Sequence, residues 1–253
     1  MTDILLNNIV LVIVTAALAY CIGSINPAII ITKMALHKDI RSMGSGNAGF
    51  TNVLRTVGKG PAVMTIVFDF LKGVFAAAIG GVIFAQFSQD PVASAVVSQY
   101  GAYLGGLFVV IGHMFPVFFK FKGGKGVTTA AAVMLATDVR VFFMILLTFG
   151  IGFIATRIIS VASLISAFTY PIYTFIFLFI SYKNPTEGAI ALTLEYVIVC
   201  TVFAAVISLL VIIKHHSNIG RIIKGTEKKI EPKSRKKPSK PKGRTIDPDD
   251  IHK

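Results

Sequence analysis

Three short segments hold most of the side chains in this sequence that can bind or react. Residues 40–60 read IRSMGSGNAGFTNVLRTVGKG. Gly44, Gly46 and Gly49 allow left-handed backbone and close approach to a ligand. Ser45, Asn47, Thr51 and Asn52 add hydroxyl and amide groups that can donate hydrogen bonds. Arg55 presents a planar fork matched to phosphate, and backbone N–H groups in such a Gly-rich turn form an anion nest. Residues 112–129 read GHMFPVFFKFKGGKGVTT. There Gly123, Gly124, Lys125 and Gly126 precede a predicted helix, whose N-terminus carries partial positive charge and unpaired N–H groups. Lys122 adds a cation, while Lys120 reads as an interfacial side chain that snorkels to water. Residues 214–227, KHHSNIGRIIKGTE, contribute His215, Asn218, Arg221 and Glu227. Ser160 and Ser163, just past Arg157, are placed to reach the same site. The chemistry common to all of these groups is recognition of phosphate.

Other chemistries lack their residues. Val127 follows Gly126, so the Walker A spacing is absent. The site segments contain no H-E-x-x-H, no C-x-x-C and no D-x-D, so neither a metal nor another cofactor is expected. A G-x-S-x-G nucleophile elbow is missing too. The two cysteines, Cys21 and Cys200, lie in apolar runs and read as buried packing residues.

The elements that must position these groups are membrane helices. Of 253 residues, 54% are hydrophobic and only 15% charged, and the charges cluster between long apolar runs. Runs of 18 or more apolar residues are long enough to cross the bilayer as helices, and their lack of period-two alternation argues against a β-barrel. Apolar helices are predicted at about 4–32, 61–87, 94–119, 158–181 and 189–213, with two shorter pieces at 127–137 and 139–155. The first short piece would extend only about 16 Å, so it reads as a half-helix or one arm of a re-entrant hairpin. The expected fold is an all-α integral membrane protein of about seven membrane helices, two of them short. The first helix is interrupted near Gly23-Ser24-Ile25-Asn26-Pro27, either as a simple kink or with freed backbone lining a cavity. Asp69 and Lys72, three apart on the second helix, share a face and read as a structural pair. Glu195 reads as interfacial.

All but three of the 25 Lys and Arg lie in one set of loops and the tail; Arg140 and Lys183 lie in the other set, and Lys72 is within a helix. The positive-inside rule then puts the N-terminus outside and the C-terminus in the cytoplasm. Outer connections near 88–91 and 183–188 are expected to be short turns. Residues 1–227 form one membrane domain, and 228–253 a disordered basic cytoplasmic tail held near anionic lipid. No recognition module accompanies the tail, so nucleic-acid binding is not expected. An anion transporter would also place broken helices beside cations, but the polar groups here gather on one face, which suits an enzyme.

The segments GSGNAGFTNVLR, GHMFPVFFKFKGGKGVTT and HHSNIGRIIKGTE, with DFLKG at 69–73, resemble the motifs of the bacterial acyl-phosphate:glycerol-3-phosphate acyltransferases, the PlsY family. The resemblance runs over about residues 20–227. Departures from the family pattern are Ala48 for Pro, Phe50 for Ala, Thr128 for Ala and His216 for Arg. The resemblance implies transfer of a fatty acyl group from acyl-phosphate to the sn-1 hydroxyl of glycerol 3-phosphate, with lysophosphatidate and phosphate as products. It implies a bacterial inner-membrane enzyme with its site on the cytoplasmic face. Its partners would be its two substrates, membrane lipid and the soluble enzyme that makes acyl-phosphate. On that basis Ser45, Arg55, Lys125, His215 and Asn218 are the expected catalytic set. Gly44, Gly46, Asn47, Gly49, Thr51, Asn52, Lys122, Gly123, Gly124, Gly126, Ser160, Ser163, Arg221 and Glu227 are expected to bind substrate. The residues themselves leave a thioester donor open.

Overall fold

The computed structural model describes residues 8–185 and 192–230. The first predicted residues of helix one, half of the turn at 183–188, the start of the last predicted span and the tail from 231 lie outside them. The helices are α1 (Ile9–Ser24), α2 (Pro27–Leu36), α3 (Phe50–Thr56), α4 (Lys59–Ala85), α5 (Pro91–Met114), α6 (Val127–Thr137), α7 (Val139–Thr156), α8 (Ile159–Lys183), α9 (Leu194–Lys214) and α10 (His216–Ile223). No strand occurs among the described residues. Six stretches are long and apolar enough to cross a membrane, with α1 and α2 counted as one of them. Val63, Phe68, Phe75 and Val82 on α4, and Phe143, Leu147 and Ile154 on α7, are exposed. Such apolar outer faces fit a hydrocarbon surround rather than water.

The interior is built from small residues. A Cβ on Gly80 would overlap the carbonyl of Gly101, and one on Gly105 would overlap that of Ala76. Backbone therefore meets backbone between α4 and α5, the geometry by which helices associate without a hydrophobic driving force. Larger side chains fill the core around this seam, among them Tyr103, Tyr170, Phe84 and Met114.

The first helix is broken, and the reason is chemical. Pro27 has no N–H, so the carbonyl of Gly23 loses its partner four residues on. The N–H of Ile29, which would pair with the Ile25 carbonyl, donates instead to the Asn26 side chain at 3.1 Å. Two carbonyls are thus freed, and both are taken by Lys72 of α4: its ammonium donates to Gly23 O at 3.1 Å and to Ile25 O at 2.8 Å. The break is neither a bare kink nor open cavity wall; it is clamped by a buried lysine.

Helix α6 has 11 residues, and the chain ahead of it explains why so few suffice. The Val117–Phe119 turn is followed by Lys120 and Phe121, both at φ 57. These reverse the chain so that Gly123 N–H reaches Met114 O and Gly124 N–H reaches His113 O. Helix α6 begins against Val110 and Met114 and ends where Thr137 O accepts from Gln99 on α5 at 2.6 Å. Helix α7 leaves from Asp138, whose carboxylate caps Arg140 N–H and pairs with the Arg140 guanidinium. Arg140 in turn reaches Ser181 near the end of α8. Of the cysteines, Cys200 is buried as expected, but Cys21 is exposed. It lies on the outward face of α1, because the buried stripe of that helix runs through Thr15, Ala19 and Gly23. Glu195 stands exposed in the first turn of α9.

Replacing Gly101 by leucine should cost stability. Its side chain would meet both the Gly80 carbonyl and Phe84, an overpacking penalty of about 1–3 kcal/mol or more. A clear drop in melting temperature in detergent, beside an unchanged Gly150→Ala control in open space, is the expected result.

Candidate active site

The loop between α2 and α3 is organised by one side chain. Asn52 is buried, accepts the Ser45 N–H on Oδ1 at 3.0 Å, and donates from Nδ2 to the carbonyls of Ile40, Met43 and Asn47. All of its polar groups are spent on the loop's own backbone, which places it as a former of the loop. Gly44 adopts φ 57, and a Cβ there would overlap Asn52 Oδ1; a side chain at this position is excluded by both strain and space. Ser45, Gly46 and Asn47 are left at the loop tip, and Gly49 caps α3, which carries Thr51 and Arg55.

A second contact joins this loop to the Gly-rich one. Asp39 caps the short turn at Ile40–Ser42 and holds the Arg41 guanidinium through both carboxylate oxygens. Arg41 Nη1 then donates to Phe119 O at 2.6 Å and Lys122 O at 3.1 Å. The Arg41 hydrogen bonds keep the Asp39 carboxyl below its ordinary pKa.

The third segment completes the enclosure. Lys125 Nζ donates to Asn218 Oδ1. Asn218 Nδ2 donates to Glu227 Oε1 at 2.6 Å, and Ser160 Oγ donates to the same oxygen at 2.7 Å. Arg221 Nε pairs with Glu227 Oε2. Burial works against the Glu227 charge, but the hydrogen bonds from Ser160, Arg221 and Asn218 hold its pKa below the ordinary value. Burial pushes Lys125 down to about 8, with Glu227 pulling the other way. His215 lies at the joint between α9 and α10, almost fully buried. Its Nδ1 is 2.7 Å from Val211 O. A carbonyl can only accept, so Nδ1 carries the proton and Nε2 keeps a lone pair. Burial, then the nearby Lys125 charge, lower the His215 pKa to about 4, so it is a neutral acceptor at physiological pH.

These groups surround one cavity of about 670 Å³. Ser45, Gly46, Asn47, Gly49, Thr51, Asn52, Arg55, Gly123, Gly124, Lys125, Gly126, Ser160, Ser163, His215, Asn218 and Glu227 all line it. Gly44 and Arg221 stand behind it, the first inside the loop and the second through Glu227. Lys122 is the exception that matters: it is exposed and off the cavity wall. The left-handed pair Lys120 and Phe121 turns the chain before it, so proximity in sequence to Lys125 does not become proximity in space. Asp69, expected only as half of a structural pair, and His113, to which the sequence assigns no role, line the cavity too. Their signal was present in the sequence, as a charge and an imidazole inside apolar helices.

The polar cavity continues into a second one of about 470 Å³, walled almost wholly by apolar side chains of α4, α6, α7, α8 and α9. Ile66, Val127, Thr128, Phe149 and Ser163 belong to both. The shape and lining suit an anion beside Lys125, Arg55 and the loop amides at one end and a hydrocarbon chain at the other.

Two outcomes follow for inorganic phosphate as a probe. Its affinity should fall as pH rises through about 8, because Lys125 loses its proton there; in Lys125→Arg, which stays charged, that loss should vanish. Calorimetric titrations from pH 6.5 to 9.5 would show it. Asn52→Ala leaves the Ser45 N–H without its acceptor, a cost of about 1–3 kcal/mol if buried, and takes from the Ile40, Met43 and Asn47 carbonyls the side-chain donor that ties them together beyond their own backbone N–H partners. It should abolish phosphate binding while circular dichroism keeps its full helical signal.

Comparison with known proteins agrees with this geometry. Residues 13–225 match the family described as glycerol-3-phosphate acyltransferase. The chain is 36% identical over 213 residues to the glycerol-3-phosphate acyltransferase of Bartonella henselae, covering 84% of this chain and 89% of that one. It is 36% identical over 218 residues to that of Clostridioides difficile, covering 86% and 95%. Two crystal structures of PlsY (YgiH), an integral membrane glycerol 3-phosphate acyltransferase, are similar in fold. The glycerol 3-phosphate form has a TM-score of 0.71 at 34% identity, covering 87% of this chain and 96% of that one. The lysophosphatidic acid form has a TM-score of 0.66 at 33% identity, covering 87% and 95%. With its motifs gathered on one cavity and matched along most of its length, this chain belongs to the glycerol-3-phosphate acyltransferase family of integral membrane enzymes.

Proposed function

We propose that this acyltransferase of phospholipid synthesis takes its acyl group from a fatty acyl-phosphate and delivers it to the sn-1 hydroxyl of glycerol 3-phosphate. The observation that carries the reading is the junction of the two cavities. A ligand lying across it would have its phosphate among Lys125, Arg55 and the glycine loops, and its hydrocarbon between α4, α6, α7, α8 and α9. Acyl-phosphate has that shape. Glycerol 3-phosphate, with no chain, fits the polar end alone. The structures of PlsY were solved in glycerol 3-phosphate and lysophosphatidic acid forms, which fits the same division.

The mixed anhydride carries a good leaving group, so the chemistry requires no enzyme nucleophile. The glycerol hydroxyl oxygen attacks the acyl carbon, the bond from that carbon to the phosphate oxygen breaks, and the hydroxyl proton passes to a phosphate oxygen. Products are 1-acyl-glycerol 3-phosphate and inorganic phosphate. Arg55 and Lys125 neutralise phosphate. Ser45 and the loop N–H groups orient the substrates and stabilise the developing oxyanion. Asn218 receives from Lys125 and gives to Glu227, which fixes the ammonium. His215 offers the Nε2 lone pair to a hydroxyl. The cationic loops lie at the end of the molecule where the reading puts the cytoplasm. There the site is open to a soluble phosphate and to a soluble enzyme that supplies the acyl-phosphate.

The test is an assay of the purified enzyme with labelled glycerol 3-phosphate and each donor in turn. Product is expected with acyl-phosphate and not with coenzyme A or acyl-carrier-protein thioesters; the reverse pattern would overturn the donor assignment. Rapid quenching with labelled donor alone should trap no acyl-enzyme, and a covalent adduct on Ser45 would refute direct transfer.

A further inference from the structure

Beneath the glycine loops lies a second group of ionisable side chains that the reaction as written does not use. Asp69 and Lys72 of α4 and His113 of α5 are all buried. A lysine ammonium has three protons. Three acceptors lie within reach of Lys72: Gly23 O, Ile25 O and Asp69 Oδ1, the last at 2.8 Å. His113 Nδ1 is also 3.0 Å from Nζ, but no lysine proton remains for it. It therefore bears its own proton and donates it to Asp69 Oδ1, 3.1 Å away. With Nδ1 protonated and its partner anionic, Nε2 of the neutral ring is a bare edge turned toward the loop.

That edge meets Gly124. A Cβ on Gly124 would overlap His113 Nε2 on one side and press on the Ala48 carbonyl on the other. Gly124 N–H donates to His113 O at 3.1 Å, and Gly123 N–H to Met114 O at 3.3 Å. The next residue is Lys125, which spans the cavity to Asn218. A continuous line of contacts thus runs from the broken first helix through Lys72, Asp69 and the His113 ring to the backbone that carries Lys125.

We propose that Asp69, Lys72 and His113 are positioning residues for the phosphate site, setting the place of Lys125 through the packing of the His113 ring on Gly124. This deepens the acyl-transfer reading and rests on it for the identity of the ligand. A purely structural role would hold α1, α4 and α5 together and leave Lys125 indifferent to the ring. The two roles separate in a double-mutant cycle, because residues that act through one another are non-additive.

The measurement uses the full-length protein in detergent and reads the Kd of glycerol 3-phosphate and, separately, of inorganic phosphate. His113→Asn keeps a group able to donate to Asp69 and removes the ring edge against Gly124. It should weaken both ligands by on the order of tenfold or more, the scale on which small misplacements act. In a Lys125→Ala background the same change should alter Kd less than twofold. An equal factor in both backgrounds, or no effect in the wild type, overturns the proposal. If His113→Asn does not fold, Gly124→Ala presses on the same contact from the loop side, without altering a membrane helix, and the same two outcomes apply. The phosphate arm holds even if no donor gives acyl transfer, so failure of the reaction assignment stays distinct from failure of the coupling.

Discussion

Two carbonyl oxygens, those of Gly23 and Ile25, have no helical donor, and the molecule is arranged around answering them. Inside a membrane an unsatisfied backbone group costs several kcal/mol. Proline at 27 and asparagine at 26 create the deficit, and the ammonium of Lys72 removes it. The lysine needs a counter-ion at that depth, which Asp69 supplies. The carboxylate orients His113, and the imidazole forms part of the floor on which the glycine loop rests. Neither the charges nor the break would be tolerable alone. Together they give a polar platform inside a bundle otherwise held by glycine and alanine contacts.

On that platform the protein joins two solvents. One cavity is floored and walled by hydroxyls, amides, carboxylate and ammonium; the other is hydrocarbon-like, and they share a wall of five residues. The charge network is satisfied internally. Lys125 rests on Asn218, Asn218 and Ser160 on Glu227, and Glu227 on Arg221. Such a chain preorganises the ammonium, the condition under which a fixed charge acts with little reorganisation. Keeping Lys125 partly buried has a cost, seen in its lowered pKa, and the nearby carboxylate offsets part of it.

Much of this was legible in the residues. Lipid demands long apolar runs, so the crossing helices could be read directly, and the short α6 at 127–137 with them. The pairing of Asp69 with Lys72 followed from their spacing. What could not be read was anything that depends on a chain reversal or a distant partner. Lys72 meets Gly23 and Ile25 across nearly fifty residues. His113, third member of that cluster, comes from another helix. Lys122 looked equivalent to Lys125 until two left-handed residues sent it outward. Asn52 has the side chain of a ligand-binding residue, and only its four backbone partners show that it shapes the loop. Cys21 sits in an apolar run, but the run does not say which face meets lipid.

The clasp of Arg41 on the carbonyls of Phe119 and Lys122 carries a consequence for exchange of parts between relatives. Because one guanidinium, locked by Asp39, is bonded to both polar loops, the loops are mechanically a single piece drawn from distant parts of the chain. A chimera that imports either loop by itself inherits half a hinge: an arginine without its carbonyls, or carbonyls without their arginine. Grafts between members of the family should therefore respect the pair as the unit of inheritance, although nearly eighty residues of chain separate its two halves.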